Sequence, residues 1–179
     1  MRVLIDACVL YPTVLREVVM GVAEAGLFTP LWSARILEEW AHAAARLGQG
    51  AVALAEIAAL ADAWPGALVT LPEGAEAGLS LPDPGDVHVL AAAIAGRADV
   101  LLTLNARDFP SRVLARHDIL RREPDGLLRE MWGAHPEAVA GVARAVQARA
   151  EALSGTGWPM RRLMKKAGLP RLGKALAGG

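Results

Sequence analysis

The sequence predicts an α/β fold built on a short, mostly parallel sheet. Two observations predict it. Apolar runs of three to five residues alternate with longer segments of helical periodicity. Two of these runs are followed closely by acids or an amide, at the strand ends where open parallel sheets bind ligands. With 179 residues, 54% of them hydrophobic, the chain can bury one full core and carry a small appendage.

The elements follow in order. Val3-Leu4-Ile5 reads as a buried strand ending at Asp6. Pro12 precedes a helix over 13–26, with Val14, Leu15, Val18 and Val22 on one side and Gly26 closing it. Residues 27–32 hold a short extended piece. Ser33 is an N-cap for a helix carrying Ile36, Leu37, Trp40 and Ala44, broken at Gly48 and Gly50. An Ala-rich helix reaches Trp64, Pro65-Gly66 turns the chain, and 67–71 reads as a strand. A loop over 72–82 leads to Asp83-Pro84-Gly85-Asp86, which opens a strong helix. Residues 99–103 form a very apolar strand, a short helix follows Pro110, and 117–120 reads as a further strand. After Pro124 the pattern is helical over 125–132, 136–152 and 159–177, with a break at Gly168-Leu169-Pro170.

Lys plus Arg and Asp plus Glu both total 19, so net charge gives no hint of a nucleic-acid partner. The distribution is more informative. Residues 1–125 carry 10 basic and 16 acidic side chains, a balance of −6, and residues 126–179 carry 9 basic and 3 acidic, a balance of +6. A basic tail on an acidic body points to a partner for one of the two parts, or to a helical extension docked on the body. One cysteine, Cys8, excludes an internal disulfide and a cysteine-based metal site, and fits a reducing compartment. It reads as a small buried residue. No signal-peptide core and no apolar stretch near the ~20 residues of a membrane span is visible, so a soluble, cytoplasmic protein is expected.

The acids carry the chemistry. Asp6 follows the first strand, Asn105 and Asp108 follow the 99–103 strand, and Asp86 opens the helix before it. In a parallel sheet these positions share one end. Glu39 lies one to two turns into a helix that starts near that end. Each acid also has an ordinary role. Asp83 is an N-cap with Pro84 at N1 and Asp86 at N3. Asp108 can organise a turn, and Glu38 and Glu39 can form a solvated helix face. Asp6 is hardest to explain this way, because a carboxylate behind a buried strand is costly without donors or a cation. Four converging carboxylates need positive charge. Residues 1–125 contain no lysine, and Arg35 and Arg107 are expected off-centre. Hard carboxylate oxygens suit Mg²⁺ or Mn²⁺. The histidines, at 42, 88, 117 and 135, lack the paired spacing of a zinc site. His88, two residues after Asp86, is expected on another helix face, in packing or at the surface.

Four segments, Leu4-Ile5-Asp6-Ala7, Ser33-Ala34-Arg35-Ile36-Leu37-Glu38-Glu39, Asp86-Val87-His88-Val89-Leu90-Ala91-Ala92-Ala93 and Leu102-Thr103-Leu104-Asn105-Ala106-Arg107-Asp108-Phe109, occur in order across about 2–120. This ordered set resembles the PIN-domain ribonuclease family and its VapC-type toxins. The resemblance implies a three-layer α/β/α domain over 1–123, with 124–179 as a basic helical C-terminal extension. It implies a metal site and catalytic centre of Asp6, Glu39, Asp86 and Asp108, supported by Asn105 and Thr103, with Asp83 as an additional nearby acid. Glu38 competes with Glu39; the family's usual spacing of six residues after Ser33 favours Glu39.

The activity implied is Mg²⁺- or Mn²⁺-dependent hydrolysis of single-stranded or loop RNA, leaving a 5′-phosphate and a 3′-hydroxyl. A cognate antitoxin and a homodimer are implied as well. Beyond the family's minimal span, Arg161, Arg162, Lys165 and Lys166, with Arg171 and Lys174, offer contacts to RNA phosphates or to an acidic partner. Two other readings stand beside this one. The first is a PIN-like module that binds RNA or protein without cleaving. The second is an Asp-dependent phosphatase or receiver. The phosphatase pattern wants a second Asp where Cys8 stands, and both classes use a lysine, whereas the lysines here are only 165, 166 and 174.

Overall fold

The computed structural model describes residues 1–178. Its strands are β1 (Arg2–Ile5), β2 (Thr29–Ser33), β3 (Leu68–Val69), β4 (Val100–Leu102) and β5 (Leu120–Arg122). They form one sheet in the order β3-β2-β1-β4-β5, and every pairing is parallel. The α-helices are α1 (Ala7–Leu10), α2 (Thr13–Glu24), α3 (Ala34–Ala45), α4 (Gly50–Ala63), α5 (Val87–Ala95), α6 (Ser111–Leu114), α7 (Pro124–Ala134), α8 (Pro136–Ser154), α9 (Met160–Lys166) and α10 (Pro170–Ala177). Among the described residues no helix is long and apolar enough to cross a membrane.

The chain divides into two compact units. The first joins Met1–Tyr11 to Thr29–Arg122; the second joins Pro12–Phe28 to the chain from Glu123 onward. In the first unit, β2 to β3 steps one way along the sheet through α3 and α4, and β4 to β5 steps the other way through α6. Right-handed crossovers therefore put helices on both faces, giving a three-layer α/β/α architecture. The strands read as apolar because both faces are covered: Val3, Leu4, Ile5, Leu101 and Leu102 have no exposure. Ser33 caps α3, its Oγ accepting from the Ile36 amide at 3.3 Å. Gly96 ends α5 where backbone must come close: a Cβ there would lie 2.9 Å from Val69 Cγ2 and 3.0 Å from the Ala92 carbonyl oxygen.

The first unit departs from expectation in three places. The strand expected over 67–71 is only Leu68–Val69. The strand expected over 117–120 lies later, at Leu120–Arg122, because a 3-10 turn over Ala115–His117 ends at left-handed Asp118 (φ 58°). Arginines 121 and 122 hide it in the sequence, being tolerated on an edge strand. The break between α3 and α4 falls at Gly48, which has φ 73°, while Gly50 starts the next helix.

In the second unit, α2 packs on α8, and α7 packs on both α8 and α10. Asp125, on the first turn of α7, is buried and accepts from the amides of Arg171 and Leu172 at 3.0–3.1 Å. The residue before α10, Leu169, has no side-chain oxygen, so Asp125 caps that helix from a distance of 46 residues in sequence. Asp125→Ala is expected to lower stability by about 2 kcal/mol, the usual worth of hydrogen bonds to a charged group. Urea denaturation of the purified variant reads this as an earlier midpoint.

Candidate metal centre

Strand order decides where a site can form. The chain leaves β1 toward β2 and leaves β4 toward β5, so β1 and β4 are neighbours whose continuations diverge. A crevice opens at the carboxyl ends of such a pair. Asp6 stands at the end of β1, its amide bonded to the Leu102 carbonyl of β4 at 3.0 Å. Thr103, next on the β4 side, is buried and donates its hydroxyl to Asp6 Oδ2 at 2.6 Å. The Thr103 hydroxyl also accepts from the Asn105 amide at 2.9 Å, which turns the chain after β4. Asn105 Nδ2 then donates to Asp108 Oδ2 and lies 3.5 Å from Asp86 Oδ2.

Asp83, Asp86 and Asp108 form the compact carboxylate group, with one oxygen from each lying within 4.8 Å of the others. Asp83 also has a structural role, since its Oδ1 accepts from the Gly85 amide at 2.8 Å and caps the 3-10 turn over Pro84–Asp86. Asp86 also faces a neighbouring cavity of about 580 Å³, shared with Asp6, Glu39, Arg35 and Asn105. Glu38 is exposed and does not line this cavity.

Electrostatics single out Asp86. Partial burial, followed by the charges of Asp6, Asp83, Asp108 and Glu39, raises its pKa from an ordinary 3.8 to about 6. Glu39 is raised too, by burial first and Asp6 second, with Arg35 acting against them. The Cys8 thiol is pushed up to about 12 by burial and by Asp6. It donates to Asp6 Oδ2 at 3.1 Å and accepts from the Leu104 amide at 3.3 Å, so it stays protonated as a structural donor. The residues fit a divalent cation: hard oxygen donors converge, burial and then their mutual repulsion raise the pKa of Asp86 to about 6, and residues 1–125 hold no lysine to neutralise them.

Two further residues lie near the acids. His88 is fully buried, and its Nε2 lies 2.8 Å from Glu39 Oε1, a close contact without hydrogen-bond geometry. Burial, then the Arg35 charge, holds it neutral with a pKa of about 4. This is the packing role expected of it, on a face other than that of Asp86, which lines the cavity that His88 does not. Arg35 is not remote either. Its Nε lies 3.9 Å from Glu39 Oε1, its Nη1 lies 3.7 Å from Glu76, and its Nη2 reaches the Gly85 carbonyl at 3.4 Å. The Arg35–Glu39 spacing of four residues on one helix is the signal for this in the sequence.

The PIN domain family matches residues 2–107, more than half of the chain. The chain belongs to the PIN domain family. No curated protein and no solved structure matches it.

The raised pKa of Asp86 gives a signed prediction. Between about 4 and 6 the folded chain holds a proton that the unfolded chain has released, so this group lowers stability as pH rises through that window, and the penalty is complete above it. Metal-free Asp86→Asn should therefore melt above the wild type near pH 7.5, with a gain that shrinks as pH falls from about 6 toward 4. Saturating Mg²⁺ should raise the wild-type melting temperature and raise that of the variant less. Identical melting curves under all these conditions would remove Asp86 from the carboxylate centre.

Proposed function

We propose that this protein is an endoribonuclease that hydrolyses RNA phosphodiester bonds with Mg²⁺ or Mn²⁺. The observation that carries the reading is the convergence of carboxylates at the β1–β4 crevice of a PIN domain. Asp83, Asp86 and Asp108 are grouped within 4.8 Å, and Asp6 and Glu39 line the adjoining cavity. Asp6, Asp86, Asp108 and Glu39 would hold the cation, with Asp83 beside them. When bound, the cation supplies an activated water and stabilises the departing oxygen. The protein side chains do the rest. Thr103 and Cys8 donate to Asp6 and hold its second oxygen in place. Asn105 orients Asp108 and approaches Asp86. Unpaired carboxylates repel a phosphodiester, so the metal-free site rejects substrate and the loaded site accepts it.

The reading predicts that purified protein cleaves single-stranded RNA with Mg²⁺ or Mn²⁺ and stops on chelation. Asp6→Asn should abolish cleavage while melting near or above the wild type, since it relieves repulsion without emptying a volume. Full activity in that variant would sink the metal-site assignment.

Within this reading the protein is a VapC-type toxin that forms a homodimer and is silenced by a cognate antitoxin. The support is the ordered set of four segments carrying Asp6, Glu39, Asp86 and Asp108. Expression alone should arrest growth of a bacterial host, and the product of a small adjacent gene should relieve the arrest. Harmless overexpression of a catalytically active protein would favour a housekeeping nuclease.

A further inference from the structure

The second unit holds a cavity of about 470 Å³ lined by Arg129, Trp132, Arg171, Lys174, Ala175 and Gly178. Three of these six residues are cations, one is an indole, and none is an acid. The sequence explains the grouping. Arg129 and Trp132 are three apart on α7, and Arg171 and Lys174 are three apart on α10, so each pair shares one helix face. The guanidinium carbon of Arg129 lies 4.7 Å from the centroid of the Trp132 ring.

Counter-charge is scarce. Asp125 lies 3.9 Å from Arg171 Nε and offsets part of its charge, while its two oxygens accept from the first amides of α10. Among the described residues Arg129 and Lys174 have no carboxylate partner. A guanidinium and an ammonium without a carboxylate partner thus meet at one cavity with Arg171, whose charge Asp125 offsets in part.

This combination selects its ligand by chemistry. Planar guanidinium forks match the paired oxygens of a phosphate, and the lysine adds a point charge. The indole is a stacking surface for a nucleobase. An acidic peptide would satisfy the cations but leave the indole unused. We propose that this cavity binds a segment of single-stranded RNA, its phosphates held by Arg129, Arg171 and Lys174 and a base stacked at Trp132. The proposal rests on RNA being the substrate class of the carboxylate centre, and it adds a binding site that performs no chemistry.

The test measures binding of a labelled, unstructured oligouridylate to the full-length protein in chelator, by fluorescence anisotropy across a salt series. Arg129→Gln with Lys174→Gln should weaken binding on the order of tenfold and reduce the slope of log K against log salt by about 1.4, since each phosphate neutralised on a single strand contributes about 0.7. Trp132→Leu should weaken binding by roughly fivefold or more, the worth of one stacked base, and leave the salt slope unchanged. A matched control removes the same charge elsewhere on the unit. Arg144 and Arg149, exposed on α8, lie outside this cavity, and Arg144→Gln with Arg149→Gln should change affinity less than twofold.

Equal losses in the two double variants, or displacement of the RNA by polyglutamate at matched charge, would overturn the site. So would an absence of binding by the wild type. Binding through this cavity without cleavage in Mg²⁺ or Mn²⁺ would leave the site standing and remove the nuclease reading. Hydrolysis of a small phosphodiester such as bis(p-nitrophenyl) phosphate should be the same in the wild type and in both double variants, which shows that the carboxylate centre is untouched.

Discussion

The parallel pairing of β1 with β4 is the contact on which the site depends. It sets Val3 beside Val100, Leu4 beside Leu101 and Ile5 beside Leu102. One residue further, the register delivers Asp6 and Thr103 side by side, and the Thr103 hydroxyl meets the Asp6 carboxylate at 2.6 Å. A slip of one residue would turn Asp6 toward the other face and bury an unpaired charge. The apolar residues of the two strands forbid that slip, because they are buried with almost no exposure. Core packing and site geometry are therefore one constraint. The hydrophobic register chooses the carboxylate's neighbours.

Around this pair the protein accumulates negative charge that the fold alone does not balance. The charges that act most on Asp86 all raise its pKa. His88, which might relieve the repulsion, is held neutral as an imidazole, and Cys8 stays a thiol that adds no further negative charge. Arg35 acts on Glu39 from the rim, half-exposed and shared with Glu76 and the Gly85 carbonyl. A fixed internal lysine would settle the electrostatics and also fill the place of a substrate's counter-ion. Leaving the charge uncompensated costs stability in the metal-free chain and gives an exchangeable cation its affinity.

Much of this is legible in the sequence. The apolar runs ending at Asp6 and before Asn105 announce parallel strands with acids at one end, and Ser33 and Asp83 announce their helix starts. Local chemistry dictates such features within a few residues. What stays hidden depends on partners far apart in sequence. Asp125 looks like a first-turn acid of its own helix, yet it caps a helix 46 residues away. β5 is masked by Arg121 and Arg122, whose charges suit an edge. The contact of His88 with Glu39 joins residues 49 apart in sequence, so neither announces the other.

The acidic and basic halves of the sequence therefore carry different kinds of meaning. In the first unit the acids matter through convergence: Asp83, Asp86 and Asp108 meet because strand order and a 3-10 turn bring them together. Their number is visible at once, but their energetics come from geometry. In the second unit the cations matter through what they surround. Arg129 and Lys174 are ordinary surface residues until α7 packs on α10 and sets them around the Trp132 indole. Charge counts by segment locate both features without distinguishing them. The distinction comes from hardness and shape: small anionic oxygens gather a metal ion, whereas flat cations beside a flat ring gather a nucleotide.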